Sequence, residues 1–327
     1  MLSLLREWEA ADDPAPLLIE TSGSTGRPKR VALSRAAMSA SAHATHERLG
    51  GAGQWVLNLP PTYVAGVQVL FRSVLAGTEP VVGTDLVEAA SALTGPRRYV
   101  SLVPTQLERC LGAGADAEAL ARFDTVLIGG GPLRPETRRE AEARGIRVVQ
   151  TYGMSETCGG CVYDGVPLDG VGLKIDSDDR VLLTGPVLFD GYDGEPERTA
   201  EVLRDGWFRT DDQGLLDDDG RLRITGRLDD VVISGGVKVP ARAVERMLAD
   251  HPSVEGAAVV GVPDPEWGER VVAVVVAGDG AVTLDELRGL VDPRPWAPRR
   301  MLAVQALPLL PNGKLDRLTV KRWAADA

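Results

Sequence analysis

The sequence predicts an α/β protein with a large N-terminal domain and a smaller C-terminal domain. In the first half of the chain, short apolar or β-branched runs alternate with stretches of helical length and composition. Strands that alternate with helices form a parallel sheet with helices on both faces. After about Val166 the apolar runs become brief and are separated by Asp/Gly turns, which indicates a small β-barrel-like subdomain.

The elements that carry this prediction follow in chain order. The predicted strands of the α/β part are Leu17–Ile19, Trp55–Leu59, Tyr99–Val103, Thr125–Ile128 and Arg147–Thr151. The predicted helices between them are Arg35–Leu49, Gly66–Ala76, Pro104–Leu111 and Pro135–Ala143. The predicted strands of the β subdomain are Gly172–Ile175, Val181–Thr184, Trp207–Thr210 and Leu222–Thr225. The last unit has the predicted helices Pro240–Ala249 and Leu284–Val291 and the predicted strands Val254–Val262 and Arg270–Ala277.

The domain boundaries are expected where the pattern of predicted strands and helices changes. We expect residues 1–228 to form the N-terminal domain, with an α/β part at 1–165 and the β subdomain at 166–228. Residues 229–327 form a C-terminal α+β domain, and roughly 100 residues suffice for a separate core. No Gly/Ser-rich linker precedes it, so any movement near Leu228–Asp230 would use a defined hinge.

Charge and composition exclude several classes of protein. The chain of 327 residues has 36 Lys and Arg against 47 Asp and Glu, and a net charge of −11 disfavours nucleic-acid binding. The longest strongly apolar run, Val271–Ala277, is far shorter than the ~18 residues that span a bilayer. The N-terminus lacks signal-peptide features, and three cysteines give no disulfide framework, so we expect a cytoplasmic protein. Cys158 and Cys161 are interpreted as small buried thiols.

The segment Thr21–Lys29 has the composition of a phosphate-binding loop. Its glycines permit a tight turn, its hydroxyl and N–H groups can surround phosphate oxygens, and Lys29 adds positive charge. The spacing is not that of a Walker loop. Composition alone also fits an ordinary surface loop, so the assignment depends on the rest of the chain.

Six segments in this order resemble the signature motifs of the adenylate-forming superfamily, which includes acyl-CoA synthetases. They are Thr21–Lys29, Val126–Leu133, Tyr152–Thr157, Gly185–Tyr192 with Gly206–Asp212, Gly226–Gly236, and Pro311–Arg317. The resemblance implies an AMP-forming acid–thiol ligase that uses ATP, Mg²⁺ and coenzyme A. Charge that builds on phosphate oxygens during such a reaction requires fixed donors and cations.

The resemblance also implies roles for individual residues. Lys314 would reach the carboxylate and the α-phosphate, Ser155 would contact the α-phosphate, and Glu156 would hold Mg²⁺. Asp212 would bind the ribose with help from Arg227, although the adjacent Asp211 leaves the choice of carboxylate open. The implied nucleotide-binding residues are Thr21, Ser22, Gly23, Ser24, Thr25, Gly26, Lys29, Gly129, Gly130, Gly131, Pro132, Tyr152, Gly153, Met154, Asp212 and Arg227.

A second half-reaction follows from the same resemblance. Once the acyl-adenylate has formed, the C-terminal domain would turn about the hinge residue Asp229 and carry Lys314 away. The loop of Ser234, Gly235 and Gly236 would then guide the thiol of coenzyme A, because glycines let a pantetheine arm pass close to the backbone.

The acid that is activated is suggested by Leu57–Gly77, which resembles the substrate-pocket segment of the o-succinylbenzoate–CoA ligase family of menaquinone biosynthesis. Tyr63, Gln68 and Arg72 are the candidate substrate residues. Gln68 and Arg72 are four apart on one helix face, and Arg72 suits a dicarboxylate because a guanidinium binds a carboxylate with two donors. An ordinary helix arginine with its charged end in water is the equal alternative.

Two departures from the family pattern limit the resemblance. Tyr63 stands where a histidine is common, and only about twenty residues precede the phosphate loop. We therefore expect an uncovered sheet face to be protected in another way, for example in a homodimer. The alternative functions are an acyl-CoA synthetase for another aromatic or fatty acid and a nucleotide-binding pseudoenzyme. No nucleic-acid or membrane partner is expected.

Overall fold

The computed structural model describes residues 1–21, 29–278, 280, 282–310 and 315–326. The chain divides into two compact units. Unit 1 contains Met1–Lys174, Leu182–Thr210 and Leu216–Leu222, and unit 2 contains Ile175–Val181, Asp211–Leu215 and Arg223–Ala327.

The helices and strands of the described residues are numbered in chain order. The helices are α1 (Leu2–Ala10), α2 (Arg35–Arg48), α3 (Val64–Leu75), α4 (Leu86–Ala92), α5 (Pro104–Gly112), α6 (Gly114–Leu120), α7 (Pro135–Ala143), α8 (Pro196–Val202), α9 (Ala241–Leu248), α10 (Leu284–Leu290) and α11 (Arg317–Asp326). The first strands are β1 (Leu17–Thr21), β2 (Lys29–Leu33), β3 (Gln54–Leu57), β4 (Val81–Val82), β5 (Arg98–Leu102), β6 (Thr125–Ile128), β7 (Val148–Met154), β8 (Gly159–Tyr163), β9 (Val166–Pro167) and β10 (Gly172–Ile175). The later strands are β11 (Arg180–Thr184), β12 (Gly191–Tyr192), β13 (Leu203–Arg204), β14 (Trp207–Leu216), β15 (Leu222–Arg227), β16 (Val231–Ser234), β17 (Val237–Pro240), β18 (Val254–Asp264), β19 (Gly268–Ala277) and β20 (Arg300–Val304). Short 3₁₀ turns occur at Ser155–Thr157, Leu228–Asp230 and Arg294–Trp296.

The main sheet of unit 1 has seven strands in the order β4-β3-β5-β6-β7-β8-β9. Strands β4 to β7 in this order are parallel, and β8 and β9 extend the sheet in the antiparallel direction. Its central strands are apolar on both faces. For example, Tyr99 and Leu127 pack on one side, whereas Val100 and Val126 pack on the other. The predicted parallel α/β sheet is thereby confirmed.

Helices of the same chain cover both faces of this sheet. The helices α4 to α7 share one apolar core with it, and α1, α2 and α3 share the other. The helix α1 packs on α3 through the buried Leu5 and through Trp8, whose ring meets Phe71 edge to face at 5.7 Å. The face that was expected to need protection is covered within the chain by α2 and α3, with α1 packed on α3. The homodimer stays a prediction, but a sheet face in need of cover no longer supports it.

A small antiparallel sheet in the order β1-β2-β12 carries the phosphate-loop segment. Its strand β1 corresponds to the predicted strand at Leu17–Ile19, but it pairs with β2 from Leu17 opposite Leu33 to Thr21 opposite Lys29. The strand therefore belongs to a separate antiparallel sheet and not to the parallel one. A second sheet has the order β10-β11-β14-β13, with β15 also paired to β14, where the sequence predicts brief strands.

Unit 2 contains a sheet in the order β17-β16-β19-β18, with β20 paired in parallel to β19. The long strands β18 and β19 alternate strictly between two cores. Val259 and Val271 face the core that includes α9 and α10, and Val260 and Val272 face the core that includes α11. The predicted elements of this segment are present, and the predicted helix at Pro240 begins one residue later, at Ala241.

The sequence analysis missed five helices and nine strands of the described residues, and each missed strand is only two to five residues long. They are α1, α4, α6, α8 and α11, and β2, β4, β8, β9, β12, β13, β16, β17 and β20. The domain boundary at 228/229 stays a prediction. In the described parts of the chain, every helix is too short or too polar to cross a membrane.

Truncation of Leu5 tests the role of α1 as a cover for α3. Leu5 is 3 % exposed and Leu4 is 62 % exposed on the same helix. We expect Leu5→Ala to lower the free energy of unfolding by about 2–4 kcal/mol, because it leaves a cavity, whereas Leu4→Ala changes it by less than about 0.5 kcal/mol. Urea denaturation of both variants measures the difference. Equal effects would show that α1 does not pack as described.

Candidate active site

A single 3₁₀ turn, Ser155–Thr157, follows the carboxyl end of β7 and presents the two predicted catalytic residues of unit 1. A Cβ on Gly153 would lie 2.0 Å from the carbonyl oxygen of Gly159, so glycine is required where β7 and β8 approach. Thr157 Oγ1 accepts a hydrogen bond from the Met154 N–H at 3.0 Å and donates to the Gly159 carbonyl at 2.7 Å. These bonds fix the turn from both sides.

Glu156 is 4 % exposed and lies in a set of three polar side chains. Its Oε1 accepts hydrogen bonds from Lys29 Nζ at 2.5 Å and from the Tyr192 hydroxyl at 2.9 Å. Lys29 Nζ and the Tyr192 hydroxyl oxygen are 3.2 Å apart. A carboxylate with so little access to water is stable only when it is paired and hydrogen-bonded. Lys29 neutralises it, and Tyr192 fixes the same oxygen.

The register of β2 and β12 brings these side chains together. Tyr192 lies opposite Val31, and Lys29 lies two residues before Val31 on the same strand. Side chains two residues apart share a face of a strand, so Lys29 and Tyr192 are diagonal neighbours. The Phe189 N–H donates to the Glu156 carbonyl at 2.9 Å, which attaches the turn to the segment before β12.

The predicted phosphate loop is closed at its base by β1 and β2. Thr21 and Lys29 form the last pair of this hairpin, and Thr21 Oγ1 lies 3.5 Å from the Lys29 carbonyl oxygen. The predicted binding residues Ser22, Gly23, Ser24, Thr25 and Gly26 lie outside the described residues, as does the predicted catalytic Lys314. Their assignments stay predictions.

The predicted adenine-contact loop, Gly129–Pro132, follows the carboxyl end of β6. A Cβ on Gly129 would lie 2.6 Å from Thr151 Oγ1 on the adjacent strand, and Gly130 has a φ of +82°, so both positions favour glycine. Because β6 and β7 are parallel neighbours, this loop and Tyr152–Met154 lie at the same edge of the sheet. In open α/β sheets, ligands bind at the carboxyl ends of the strands.

The helix α3 carries the candidate substrate residues. Tyr63 is half-buried and immediately precedes α3. Gln68 is buried, and its Nε2 donates to the Cys158 carbonyl at 2.8 Å, so it reaches the residue that follows the 3₁₀ turn. Its Oε1 has no hydrogen-bond partner among the described residues.

Arg72 lies one helical turn beyond Gln68 and is 4 % exposed. Its guanidinium carbon lies 5.1 Å from the centre of the Trp55 ring, its Nε has no hydrogen-bond partner, and the described residues give it no carboxylate partner. Burial lowers the pKa of Arg72, and a hydrogen bond with Tyr163 opposes this effect. The alternative of an arginine that reaches water is wrong. Burial, together with the charge of Arg72, also lowers the pKa of the nearby His46 to about 4.

Unit 2 brings the predicted ribose and hinge residues together. Arg227 donates to Asp212 at 3.1 Å and to both carboxylate oxygens of Asp229 at 2.7 Å. Burial alone would lower the pKa of Arg227, but the bond to Asp229 and the charge of Asp212 raise it above its ordinary value. The side chain of Asp212 is 11 % exposed and that of Asp211 is 56 % exposed. The geometry therefore favours Asp212 as the fixed acceptor.

The predicted thiol-guiding loop is the two-residue turn between β16 and β17. Gly235 and Gly236 have φ values of +59° and +78°, as the tight turn of a hairpin requires. A Cβ on Gly235 would lie 2.7 Å from the ring of Trp267, and the Gly235 N–H donates to the Trp267 carbonyl at 2.8 Å. Ser234 is buried and its hydroxyl has no partner among the described residues.

The structure also shows the surroundings of the two cysteines and of the side chains that could bind a metal. Cys158 and Cys161 are fully buried, and burial raises the pKa of Cys161 to about 12 and that of Cys158 further. Thiols this far from ionisation fit the interpretation as packing residues.

Within the described ranges, no group of three His, Cys, Asp or Glu side chains could hold a metal. Magnesium needs only one or two protein carboxylates beside substrate phosphates, so Glu156 fits it.

Tyr192 is the site residue that the sequence analysis missed. It lies within the matched segment Gly185–Tyr192, but its role depends on the pairing of β12 with β2. Because residues 34–190 separate the two strands, local sequence carries no signal for this register.

Unit 1 has glycine loops at the carboxyl ends of its strands and a buried, neutralised carboxylate beside them, and unit 2 has an Asp–Arg–Asp cluster. These features fit an AMP-forming acid–thiol ligase. The match to the AMP-binding enzyme model at residues 4–190 and to the AMP-binding enzyme C-terminal domain model at residues 243–314 identifies the family. The chain belongs to the AMP-binding enzyme family. The family, the fold and the enzyme class predicted from the sequence are thus confirmed.

Named relatives and solved structures give finer comparisons. A Mycobacterium tuberculosis protein named probable 2-succinylbenzoate–CoA ligase is 46 % identical over 343 residues, which cover 100 % of this chain and 89 % of the relative. Feruloyl-CoA synthase of Amycolatopsis is 32 % identical and covers 97 % of this chain and 73 % of its own length. The o-succinylbenzoate CoA synthetase of Bacillus subtilis in complex with its acyl-adenylate has a TM-score of 0.80 at 28 % identity, over 93 % of this chain and 68 % of that one. The same enzyme with ATP and magnesium has a TM-score of 0.80 at 27 % identity, over 93 % and 69 %.

The buried pair of Lys29 and Glu156 predicts a specific pattern of stability. We expect Lys29→Met to lower the free energy of unfolding by about 3–5 kcal/mol, because it leaves a buried carboxylate without a cation. The further change Glu156→Gln should recover most of this loss, because the glutamine brings no charge into the site. Chemical denaturation of the two single variants and the double variant gives the coupling. Additive losses would contradict the pairing.

Proposed function

We propose that this protein couples o-succinylbenzoate to coenzyme A in a reaction driven by ATP. In the first step, a carboxylate oxygen of the acid bonds to the α-phosphorus of ATP, and pyrophosphate leaves. In the second step, the sulfur of coenzyme A bonds to the acyl carbon, AMP leaves, and the thiol proton passes to solvent. Family membership and the relative that covers the whole chain support this proposal.

The ATP side of the proposal rests on Glu156 and its partners. Glu156 offers one carboxylate oxygen to Mg²⁺, which when bound would draw charge from the phosphate oxygens. Lys29 lies at the base of the predicted phosphate loop and can donate either to Glu156 or to a phosphate oxygen. Tyr192 holds Glu156 Oε1 in both arrangements. Glu156 thus provides a carboxylate that orients the metal, and Lys29 provides a cation that can move between Glu156 and a phosphate oxygen.

The ribose side of the proposal rests on Asp212. Arg227 binds this carboxylate at 3.1 Å and is itself held by Asp229, so Asp212 is oriented before any nucleotide arrives. Two adjacent hydroxyl donors of a ribose match the two oxygens of such a carboxylate.

The choice of acid is carried by one observation, the burial of Arg72 without a carboxylate partner among the described residues. A buried guanidinium is costly unless an anion pairs with it. The second carboxylate of o-succinylbenzoate would supply that anion through a bidentate bond. Gln68, one turn earlier on α3, offers an unpartnered Oε1 on the same helix face.

The adjacent aspartates provide a matched pair for the ribose assignment. We expect Asp212→Asn to raise KM for ATP by roughly tenfold or more, because the buried acceptor loses its charge, and Asp211→Asn to change it by less than about twofold. Steady-state kinetics with thermal melting as a folding check measure both. A larger effect of the Asp211 variant would reverse the assignment.

A panel of acids tests the proposed substrate. We expect release of AMP and formation of a thioester with o-succinylbenzoate, and weaker use of benzoate and ferulate, which lack the second carboxylate. Arg72→Gln should raise KM for o-succinylbenzoate by roughly ten- to hundredfold, because a charged hydrogen-bonded pair is lost, and leave KM for the monocarboxylates nearly unchanged.

The control for this test is Arg48→Gln, which changes an arginine of α2 that donates to the carbonyls of Val166 and Pro167. It should behave as the wild type toward every acid. Equal losses for mono- and dicarboxylic acids in the Arg72 variant would refute its role. Preferred turnover of ferulate would favour an aromatic acyl-CoA synthetase, and nucleotide binding without AMP release for any acid would indicate a pseudoenzyme.

A further inference from the structure

Arg317 is the first residue of α11 and makes three separate contacts inside unit 2. Its Nη2 donates to Glu245 Oε1 on α9 at 2.7 Å, and its Nη1 donates to the Val259 carbonyl on β18 at 3.0 Å. Its Nε lies 3.3 Å from Asp230 Oδ2. One guanidinium therefore connects a helix, a strand and the 3₁₀ turn Leu228–Asp230.

The two carboxylates in this cluster are themselves fixed. Asp230 Oδ2 also accepts a hydrogen bond from Arg242 Nε at 2.9 Å. Glu245 Oε1 accepts a further bond from the Val259 N–H at 2.8 Å. Burial raises the pKa of Glu245, and the charge of Arg317 opposes this shift. Both side chains are largely shielded from water, so loss of the guanidinium would leave Glu245 poorly compensated, whereas Asp230 would keep its bond to Arg242.

The position of Arg317 in the chain gives these contacts a consequence for the reaction. Arg317 follows the predicted catalytic Lys314 by three residues. On either side of the segment 311–314, Leu309 forms an antiparallel bridge with Leu315, and the Asp316 N–H donates to the Pro308 carbonyl at 2.9 Å. On the other end of the cluster, Asp230 is the neighbour of the predicted hinge residue Asp229.

We propose that Arg317 is the positioning residue for Lys314, because it joins the base of the Lys314 segment to the residue beside the hinge and to α9. The inference rests on the proposed function, since it assigns Lys314 to the adenylate-forming step. Arg317 touches no substrate in this scheme. It ties the described residues that directly follow 311–314 to the turn Leu228–Asp230 and to α9, and we expect the function of Lys314 to depend on this connection.

Arginine is suited to this position for a geometric reason. A planar guanidinium presents donors in several fixed directions, so it can donate to Glu245 and to the Val259 carbonyl while its charge lies beside Asp230. The compact ammonium of a lysine could pair with one of the two carboxylates but not hold all three groups. The conservative variant Arg317→Lys should therefore restore part of the function that Arg317→Met loses.

Separate assays of the two half-reactions test the proposal. We expect Arg317→Met to slow adenylate formation by roughly ten- to hundredfold, because displacement of a catalytic group by about 1 Å costs that much. Thioester formation from supplied acyl-adenylate should stay within about twofold of the wild type, since Lys314 takes no part in it. Arg317→Lys should lie between the two for the first step.

The matched control is Arg322→Met on the same helix, an exposed arginine that donates to Thr319. It should leave both half-reactions unchanged. Equal loss of both steps in Arg317→Met, with unchanged behaviour of Arg322→Met, would overturn the positioning role. If Arg317→Met fails to fold, Glu245→Gln removes the charge partner while keeping an acceptor for the Val259 N–H. It should slow only the first step, and an equal loss of both would again overturn the proposal.

Hydrogen exchange measured by mass spectrometry provides a readout that does not depend on turnover. In Arg317→Met, amides of the peptide 305–316 should exchange at least about tenfold faster than in the wild type, whereas peptides of unit 1 should be unaffected. Unchanged exchange in 305–316 would refute the network. If the wild type adenylates no acid at all, the proposed function fails, and the exchange result still decides whether Arg317 holds the segment.

Discussion

The buried ion pair of Lys29 and Glu156 is the constraint on which the active-site region of unit 1 depends. A carboxylate that is 4 % exposed needs both a cation and a hydrogen-bond donor, and the pairing of β2 with β12 supplies them as Lys29 and Tyr192. The glycine at position 153 lets β7 and β8 come close enough to present Glu156 to that pair. A carboxylate held by a single ammonium and a hydroxyl is arranged so that a second cation could compete for it, as the proposed function requires.

The sequence predicted most of the fold because apolar periodicity and turn residues are local signals. It predicted Thr125–Ile128 and Pro135–Ala143 with the bounds that the structure has. It predicted no helix at α1, because nine residues are too few for an apolar periodicity to stand out, and a short helix does not reveal which surface it covers. It also assigned β1 no partner, since antiparallel pairing with β2 depends on a hairpin that periodicity does not show.

The site was predicted to the extent that it consists of contiguous motifs. Ser155, Glu156 and the glycines of 129–131 could be predicted as site residues because each lies in a short string with a recognisable chemistry, and their roles stay predictions. Tyr192 was missed because its function depends on a register between strands far apart in the chain. The sequence also left two choices open, Asp211 against Asp212 and a buried against an exposed Arg72. The lower exposure of Asp212 favours it over Asp211, and Arg72 is buried. The exposure of a side chain depends on the folded chain, so the sequence alone could not decide either choice.

Charge pairs have different functions in the two units, and their burial explains why. In unit 1, the described residues give Glu156 one cationic partner, so a second cation can compete for it without dismantling the surrounding core. In unit 2, Arg317 has two carboxylate partners and a carbonyl, and removing any one leaves the others in place. A single pair can open when a ligand arrives, whereas a network with several partners resists opening. This difference suits the exchange proposed at Glu156 in unit 1 and the rigid connection proposed for Arg317 in unit 2.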